Sequence, residues 1–226
     1  MKQLILLVSS LVCIRATAQK FVLAQIPATG TSIQSFIPAG YDTLATAAGD
    51  LNKDGKQDLA VILKSLAENT EADVAPDEDK IPGRILLVLL NLGNTYLQAA
   101  LSDSAILCKY CGGIFGDPFA SIDIKNGILI IDHYGGSAWR WSSTHKFRLQ
   151  KDDLYLIGET KLSFWNVEHC KKLGEFAGTD YMDINYLTGQ YEQKKISAEG
   201  CKLLLYKKGK KSIRPLKSLS QFKIEN

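Results

Sequence analysis

Trp139-Arg140-Trp141-Ser142-Ser143-Thr144-His145-Lys146-Phe147-Arg148-Leu149 alternates in character from one residue to the next. Trp139, Trp141, Ser143, His145, Phe147 and Leu149 fall on one side of an extended chain. Arg140, Ser142, Thr144, Lys146 and Arg148 fall on the other. Successive side chains of a strand point to opposite faces, so this period of two describes a half-buried strand.

Working outward, the same pattern recurs between turn signals. Asn126-Gly127 separates residues 121–124 from 128–131. Asn-Gly is the strongest short hairpin signal because both central residues must accept positive φ. Asn91-Leu92-Gly93-Asn94 separates residues 85–90 from 96–99. Residues 150–153 separate 139–149 from 154–157. Thr188-Gly189 separates 182–186 from 191–196. No long stretch shows a 3.6-residue period. Residues 65–82 are polar and acidic, contain Pro76 and Pro82, and read as a mobile loop between two strands. These signals predict an all-β fold, mainly antiparallel and arranged as a meander. They predict one domain over residues 19–226, with a soft boundary near residues 163–174.

One segment is hard to explain by folding alone. In Gly49-Asp50-Leu51-Asn52-Lys53-Asp54-Gly55-Lys56-Gln57-Asp58, the oxygen-bearing side chains Asp50, Asn52, Asp54 and Asp58 stand at relative positions 1, 3, 5 and 9. Gly55 permits a sharp turn, and the Lys56 carbonyl can add a backbone ligand. Calcium takes about six to eight oxygens, and the ion cancels the repulsion between closely spaced carboxylates. An EF-hand would need a glutamate at position 12, where this chain has Val61. The flanks, residues 44–48 and 59–63, read as strands rather than helices. The expected metal ligands are therefore Asp50, Asn52, Asp54, Lys56 and Asp58, on a loop joining two strands.

Residues 47–61, Ala-Ala-Gly-Asp-Leu-Asn-Lys-Asp-Gly-Lys-Gln-Asp-Leu-Ala-Val, resemble the FG-GAP / VCBS-type repeat of integrin α-subunits and exported bacterial proteins. Residues 84–99 resemble the second half of such a unit. The resemblance implies a four-stranded, propeller-blade-like unit whose loop holds Ca2+. A complete propeller needs about four to eight blades. Only one such motif is present, so the expectation is a single blade-like unit within a β protein.

The first residues read as a targeting segment. Met1-Lys2 is a positive n-region, residues 4–12 an apolar h-region, and Ala16-Thr17-Ala18 a small-x-small cleavage site. The expected signal peptide is residues 1–18, and the expected location is periplasmic or secreted. Cys13 follows Val12 rather than a small residue, which weighs against a lipoprotein. The apolar run is too short to cross a bilayer core of about 30 Å, and no later run is long enough. The formal charge of +3 includes Lys2 and Arg15, so nothing points to a nucleic-acid partner. The basic run Lys207-Lys208-Gly209-Lys210-Lys211 reads as a solvated turn between strands, with contact to an anionic surface or polysaccharide as the alternative.

Cys108, Cys111, Cys170 and Cys201 lie beyond the targeting segment. An even number in an exported chain favours disulfides. Cys108–Cys111 and Cys170–Cys201 are the preferred pairs, though other connectivities fit. A redox role for Cys108 is an alternative, but Gly112-Gly113 does not suit the helix start that lowers a thiol pKa. A four-cysteine zinc site more often shows two close pairs, and there is one.

Asp132-His133 and His145 bracket Gly135-Gly136 and could serve acid–base chemistry. As strand neighbours, Asp132 and His133 would point to opposite faces. No serine or cysteine sits in a nucleophile motif. Asp117, Asp132 and Glu159 are conceivable glycosidase carboxylates, but their separation is a three-dimensional quantity. The alternation favours burial of Trp139 and Trp141 and leaves Tyr134 as the better surface contact. The leading expectation is a non-enzymatic, calcium-binding β-domain that binds a protein or glycan of the cell envelope. The alternative is a hydrolase of envelope polymers using His133 or His145 with nearby acids.

Overall fold

The computed structural model describes residues 22–69, 83–151, 153–165, 179–197, 202–212 and 214–224. They form two open antiparallel sheets. The first contains β1 (Thr29–Gly30), β2 (Tyr41–Gly49), β3 (Asp58–Ser65), β4 (Ile85–Asn91) and β5 (Tyr96–Ser102), in the order β1-β5-β4-β3-β2. The second contains β6 (Phe119–Lys125), β7 (Ile128–Gly136), β8 (Trp139–Gln150), β9 (Asp153–Trp165), β10 (Thr179–Asn185), β11 (Gln190–Ile196) and β12 (Leu203–Lys210). In this sheet every strand pairs with its sequence neighbour. The architecture is the all-β, mainly antiparallel meander that the alternation predicts, and β2–β5 are a four-stranded meander of their own.

The turns follow from their residues. Asn126 and Gly127 both take positive φ, at 54° and 72°, as a two-residue hairpin with right-handed strand twist requires. At Gly189, φ is 76° and a Cβ would lie 2.0 Å from the Lys211 carbonyl oxygen, so only glycine fits.

The central strands of the first sheet, β3 and β4, are buried on both sides. Ala60, Ile62, Leu86 and Val88 face the second sheet. Val61, Leu63, Ile85, Leu87 and Leu89 face a second core closed by Ile26, Phe36 and Tyr41. Burial on both faces explains why β3 and β4 read as continuous apolar runs rather than alternating ones. Each such leucine contributes about 1.5–3 kcal/mol on burial. Cutting Leu87 back to alanine would cost about 2–5 kcal/mol.

The second sheet offers Ile124, Leu129, Ile131, Phe147, Leu154 and Leu156 to the interlayer core, where Leu219, Phe222 and Ile224 close it from the C-terminal side. Its outer face carries a polar row. Ser121, Asp132, Thr144, Thr160, Asp183, Glu192 and Lys208 stand opposite one another across all seven strands. Ser121 and Thr144 both donate to the Asp132 carboxylate, and Thr160 donates to Asp183.

In β8, Ser143, His145 and Phe147 are buried while Lys146 and Arg148 are exposed. The alternation fades at residues 139–142, where both faces are half-covered. Trp139 and Trp141 are thus half-buried, and Trp139 packs against Trp165 with ring centroids 5.4 Å apart.

Two expectations need correction. Lys207-Lys208-Gly209-Lys210 is not a turn: it lies in β12, the exposed edge strand. Lysines along an edge discourage pairing with another chain, which is a reason for them to sit there. The loop expected from residue 65 starts later. Ser65 ends β3, and Leu66–Asn69 forms a 3-10 turn that buries Glu68. Residues 70–82 lie outside the described residues, as do the expected signal peptide at residues 1–18 and Cys170 and Cys201. Around the expected soft boundary, β9 runs to Trp165, and its partner β10 continues the same sheet. Among the described residues, no helix is long and apolar enough to cross a membrane.

Candidate functional site

The Asp-rich loop joins β2 to β3 and is organised by its own carboxylates. Asp50 Oδ1 accepts from the amides of Lys53 (2.6 Å) and Asp54 (3.1 Å), and Asp50 Oδ2 accepts from Gly55 N (2.9 Å). Asn52 Oδ1 accepts from the same Asp54 amide at 3.0 Å. The side-chain oxygens of Asp50 and Asn52 therefore converge on one nitrogen. Lys53 (φ 65°) and Gly55 (φ 83°) make the tight turn possible. Asp54 Oδ1 accepts from Lys56 N, and its Oδ2 meets the Lys56 ammonium at 3.2 Å. The Lys56 amide holds the Asp54 carboxyl below its usual range.

Asp58 is placed differently. It is fully buried, and its two oxygens accept from Leu51 N at 2.8 Å and Asn91 N at 2.9 Å. The structure thus brings Asp50, Asn52 and Asp54 together on one exposed turn and sets Asp58 in its root. Among the described residues, no group of three or more His, Cys, Asp or Glu side chains is spaced to hold a metal. In type, the oxygens of Asp50, Asn52 and Asp54 suit a hard cation. Asp50 has three amide donors on about four acceptor positions, which leaves room for one more contact.

The loop also sits at a junction. Leu51 is buried in the interlayer core. A Cβ on Gly127 would lie 3.5 Å from Leu51 O and 3.6 Å from Asp50 O, and one on Gly49 would strike Ile124. The root of the loop therefore touches the β6–β7 hairpin of the other sheet.

Between β5 and β6 runs a strap. Cys108 and Cys111 are disulfide-bonded there, in a turn rather than a helix. The strap is fixed by Arg84, which is almost wholly buried. Arg84 donates to Glu68, to both oxygens of Asp117 and to the Leu107 carbonyl. Asp117 is thereby committed to a structural ion pair.

His133 and His145 both face inward, on β7 and β8, while Asp132 faces out. His133 stands opposite Ser143, so the two rings are diagonal neighbours. His133 Nε2 accepts weakly from Leu107 N at 3.4 Å. Burial pushes its pKa down to about 4, helped by the neighbouring His145 and Arg84. The Nδ1 atoms of both rings are buried without a hydrogen-bond partner.

His145 Nε2 approaches Glu159 Oε1 at 3.4 Å. The same oxygen takes the Lys161 ammonium at 2.9 Å, and Oε2 accepts from the Tyr186 hydroxyl at 2.7 Å. Burial alone would raise the Glu159 pKa, but hydrogen bonds from His145, Tyr186 and Lys161 outweigh it and bring it to about 2. Burial and the Glu159 carboxylate push the Tyr186 hydroxyl up. His145, Glu159, Lys161 and Tyr186 line a cavity of about 300 Å³ with Met182 and the C-terminal segment. A second cavity of about 370 Å³, lined in part by Trp141, shares Lys161 and Met182 with the first.

Sequence reasoning singled out both histidines and Glu159 but missed Lys161, Tyr186 and Arg84. Lys161 shares a strand face with Glu159, two residues on, a signal that was legible. Tyr186 reaches Glu159 only through the register of β10 on β9, and no local pattern carries that. The conceivable carboxylate pair is not assembled: Asp117 holds Arg84, Asp132 lies on the outer face, and Glu159 lies on the inner one.

No protein family, curated protein or solved structure matches this chain.

Proposed function

We propose that this chain is an exported, calcium-stabilised β protein that binds a glycan or protein of the cell envelope and performs no chemistry on it. The observation that carries the non-catalytic reading is Glu159. A general base needs a pKa near the working pH. Glu159 holds donors from Lys161, Tyr186 and His145 and stays ionised down to about pH 2. His133 has the opposite defect: it is neutral at ordinary pH, but it is buried beneath the strap and beyond reach of a ligand. The cavity is thus furnished for recognition.

The calcium assignment rests on the donor types and on where the loop sits. The FG-GAP / VCBS-type resemblance rests on residues 47–61 and 84–99, which fall within the four-stranded meander β2–β5. An ion held by Asp50, Asn52 and Asp54 would brace a turn whose root touches both sheets. It would stabilise the folded chain by mass action, because the unfolded chain lacks the site. Its role would be structural.

The experiment is retention without turnover. The mature protein is incubated with insoluble envelope polymer; bound protein and released soluble fragments are both measured. Binding that saturates with no fragments released is expected. Fragments that accumulate with time, and vanish in Glu159→Gln, would establish the hydrolase instead. That second reading is favoured by one observation, the approach of His145 to Glu159 in a cavity.

A further inference from the structure

We infer that the two adjoining cavities on the inner face of β8–β11 form one trough for an acidic oligosaccharide, with a carboxylate at the Lys217–Lys223 end and a sugar ring against Trp141. The inference takes the binding reading above as its premise and adds the ligand class and its orientation.

The two cavities share Lys161 and Met182, so they are parts of one trough, about 300 Å³ and 370 Å³ in size. That lies within the usual range for small-ligand sites. Both ends are basic, and only the second holds an indole. Lys161, Lys217 and Lys223 line the first cavity, against the single carboxylate of Glu159. Glu159 already has both oxygens occupied. Lys217 and Lys223 are exposed, and neither has an ion-pair partner among the described residues. This end therefore carries unbalanced positive charge and favours an anion.

The other end is basic as well, with Lys194 and Lys195 in its lining, and adds one aromatic face and short polar groups. Trp141 is half-buried, and its ring fits only because residue 135 is glycine: a Cβ there would lie 2.7 Å from Trp141 Cζ2. The indole is thus held against the Gly135 backbone. Around it stand Ser143, Ser163, Asp180 and Gln193. Hydroxyl, carboxylate and amide groups beside a fixed indole suit a ring that has both apolar faces and many hydroxyls.

A peptide fits less well. The floor of the trough is β8–β11, and each of these strands is paired on both sides. The floor offers no free strand edge, so a bound peptide would find little for its own amides and carbonyls. A glycan has no such demand.

The test is calorimetric titration of the mature protein with oligogalacturonate and with its carboxyl-reduced, neutral counterpart. The acidic oligomer is expected to bind at least tenfold tighter, with affinity falling as salt rises. Trp141→Ala should abolish binding of both sugars. Lys217→Gln with Lys223→Gln, two exposed sites, should reduce the preference for the acid while leaving the melting temperature unchanged. Equal affinity for the two sugars overturns the acidic assignment and leaves glycan binding standing. No binding of either sugar, with envelope protein retained instead, overturns the glycan assignment and leaves the binding reading standing. Binding indifferent to Trp141→Ala, in a variant that melts normally, places the ligand elsewhere and overturns the trough.

Discussion

Asp58 and Asn91 are 33 residues apart, and the Asn91 amide donates to Asp58 Oδ1 at 2.9 Å. The other Asp58 oxygen accepts from Leu51 N. One buried carboxylate thus binds the start of the Asp-rich loop to the end of β4. Asp58→Ala would leave two amides without their acceptor, at about 1–3 kcal/mol each. A loss of about 2–6 kcal/mol in urea unfolding is expected, with or without calcium. Asp58→Asn, which keeps one acceptor oxygen, should lose less. If Asp58→Ala were neutral in calcium-free buffer, the structural role given to this residue would be wrong.

His133 and Glu159 set the acid sensitivity. The folded pKa of His133 is depressed from 6.5 to about 4, so the unfolded chain binds the extra proton first. Its contribution is fully present above about pH 6.5 and is lost as pH falls to about 4. Glu159 is depressed from 4.5 to about 2, so its contribution is lost in the next window down. Each shift corresponds to about 3 kcal/mol as an order of magnitude. Urea unfolding measured from pH 7 to 4 should show steadily falling stability, and His133→Gln should flatten that slope. A wild-type profile already flat between pH 6.5 and 4 would contradict the buried neutral histidine.

The disulfide Cys108–Cys111 closes a short loop in the strap that carries Leu107 and Asp117. By loop closure alone, such a short ring is worth about 2 kcal/mol. Alkylation of the native protein without reductant should leave both cysteines unmodified by peptide mass, and Cys108→Ser should lower stability by about that amount. Two labelled thiols at these positions in the purified protein would refute the pairing.

Much of the fold was legible because burial writes a period into the chain. Residues 143–148 of β8 alternate because one face meets Phe222 and the other meets water. Asn126-Gly127 announces its hairpin through two positive φ angles. The basic strand β12 was misread as a turn for the converse reason: an edge strand exposed along its length has no apolar period to show. The Asp-rich loop was legible as a turn, and its convergence of Asp50 and Asn52 on Asp54 N follows the spacing. That Asp58 turns inward was not legible, because its partner Asn91 arrives from another strand. The trough was invisible for a similar reason. Lys161 of β9 meets Lys217 and Lys223 only because the C-terminal segment returns to the sheet, which no local pattern announces.

The measurement that bears most directly on the central claim is differential scanning calorimetry of the purified protein, after EDTA treatment and after calcium is added. The account predicts a lower melting temperature after chelation, full recovery with Ca2+, and no calcium response in Asp54→Ala. A wild-type melting temperature that is the same in EDTA and in millimolar calcium, with no calcium found in the purified protein, would contradict it.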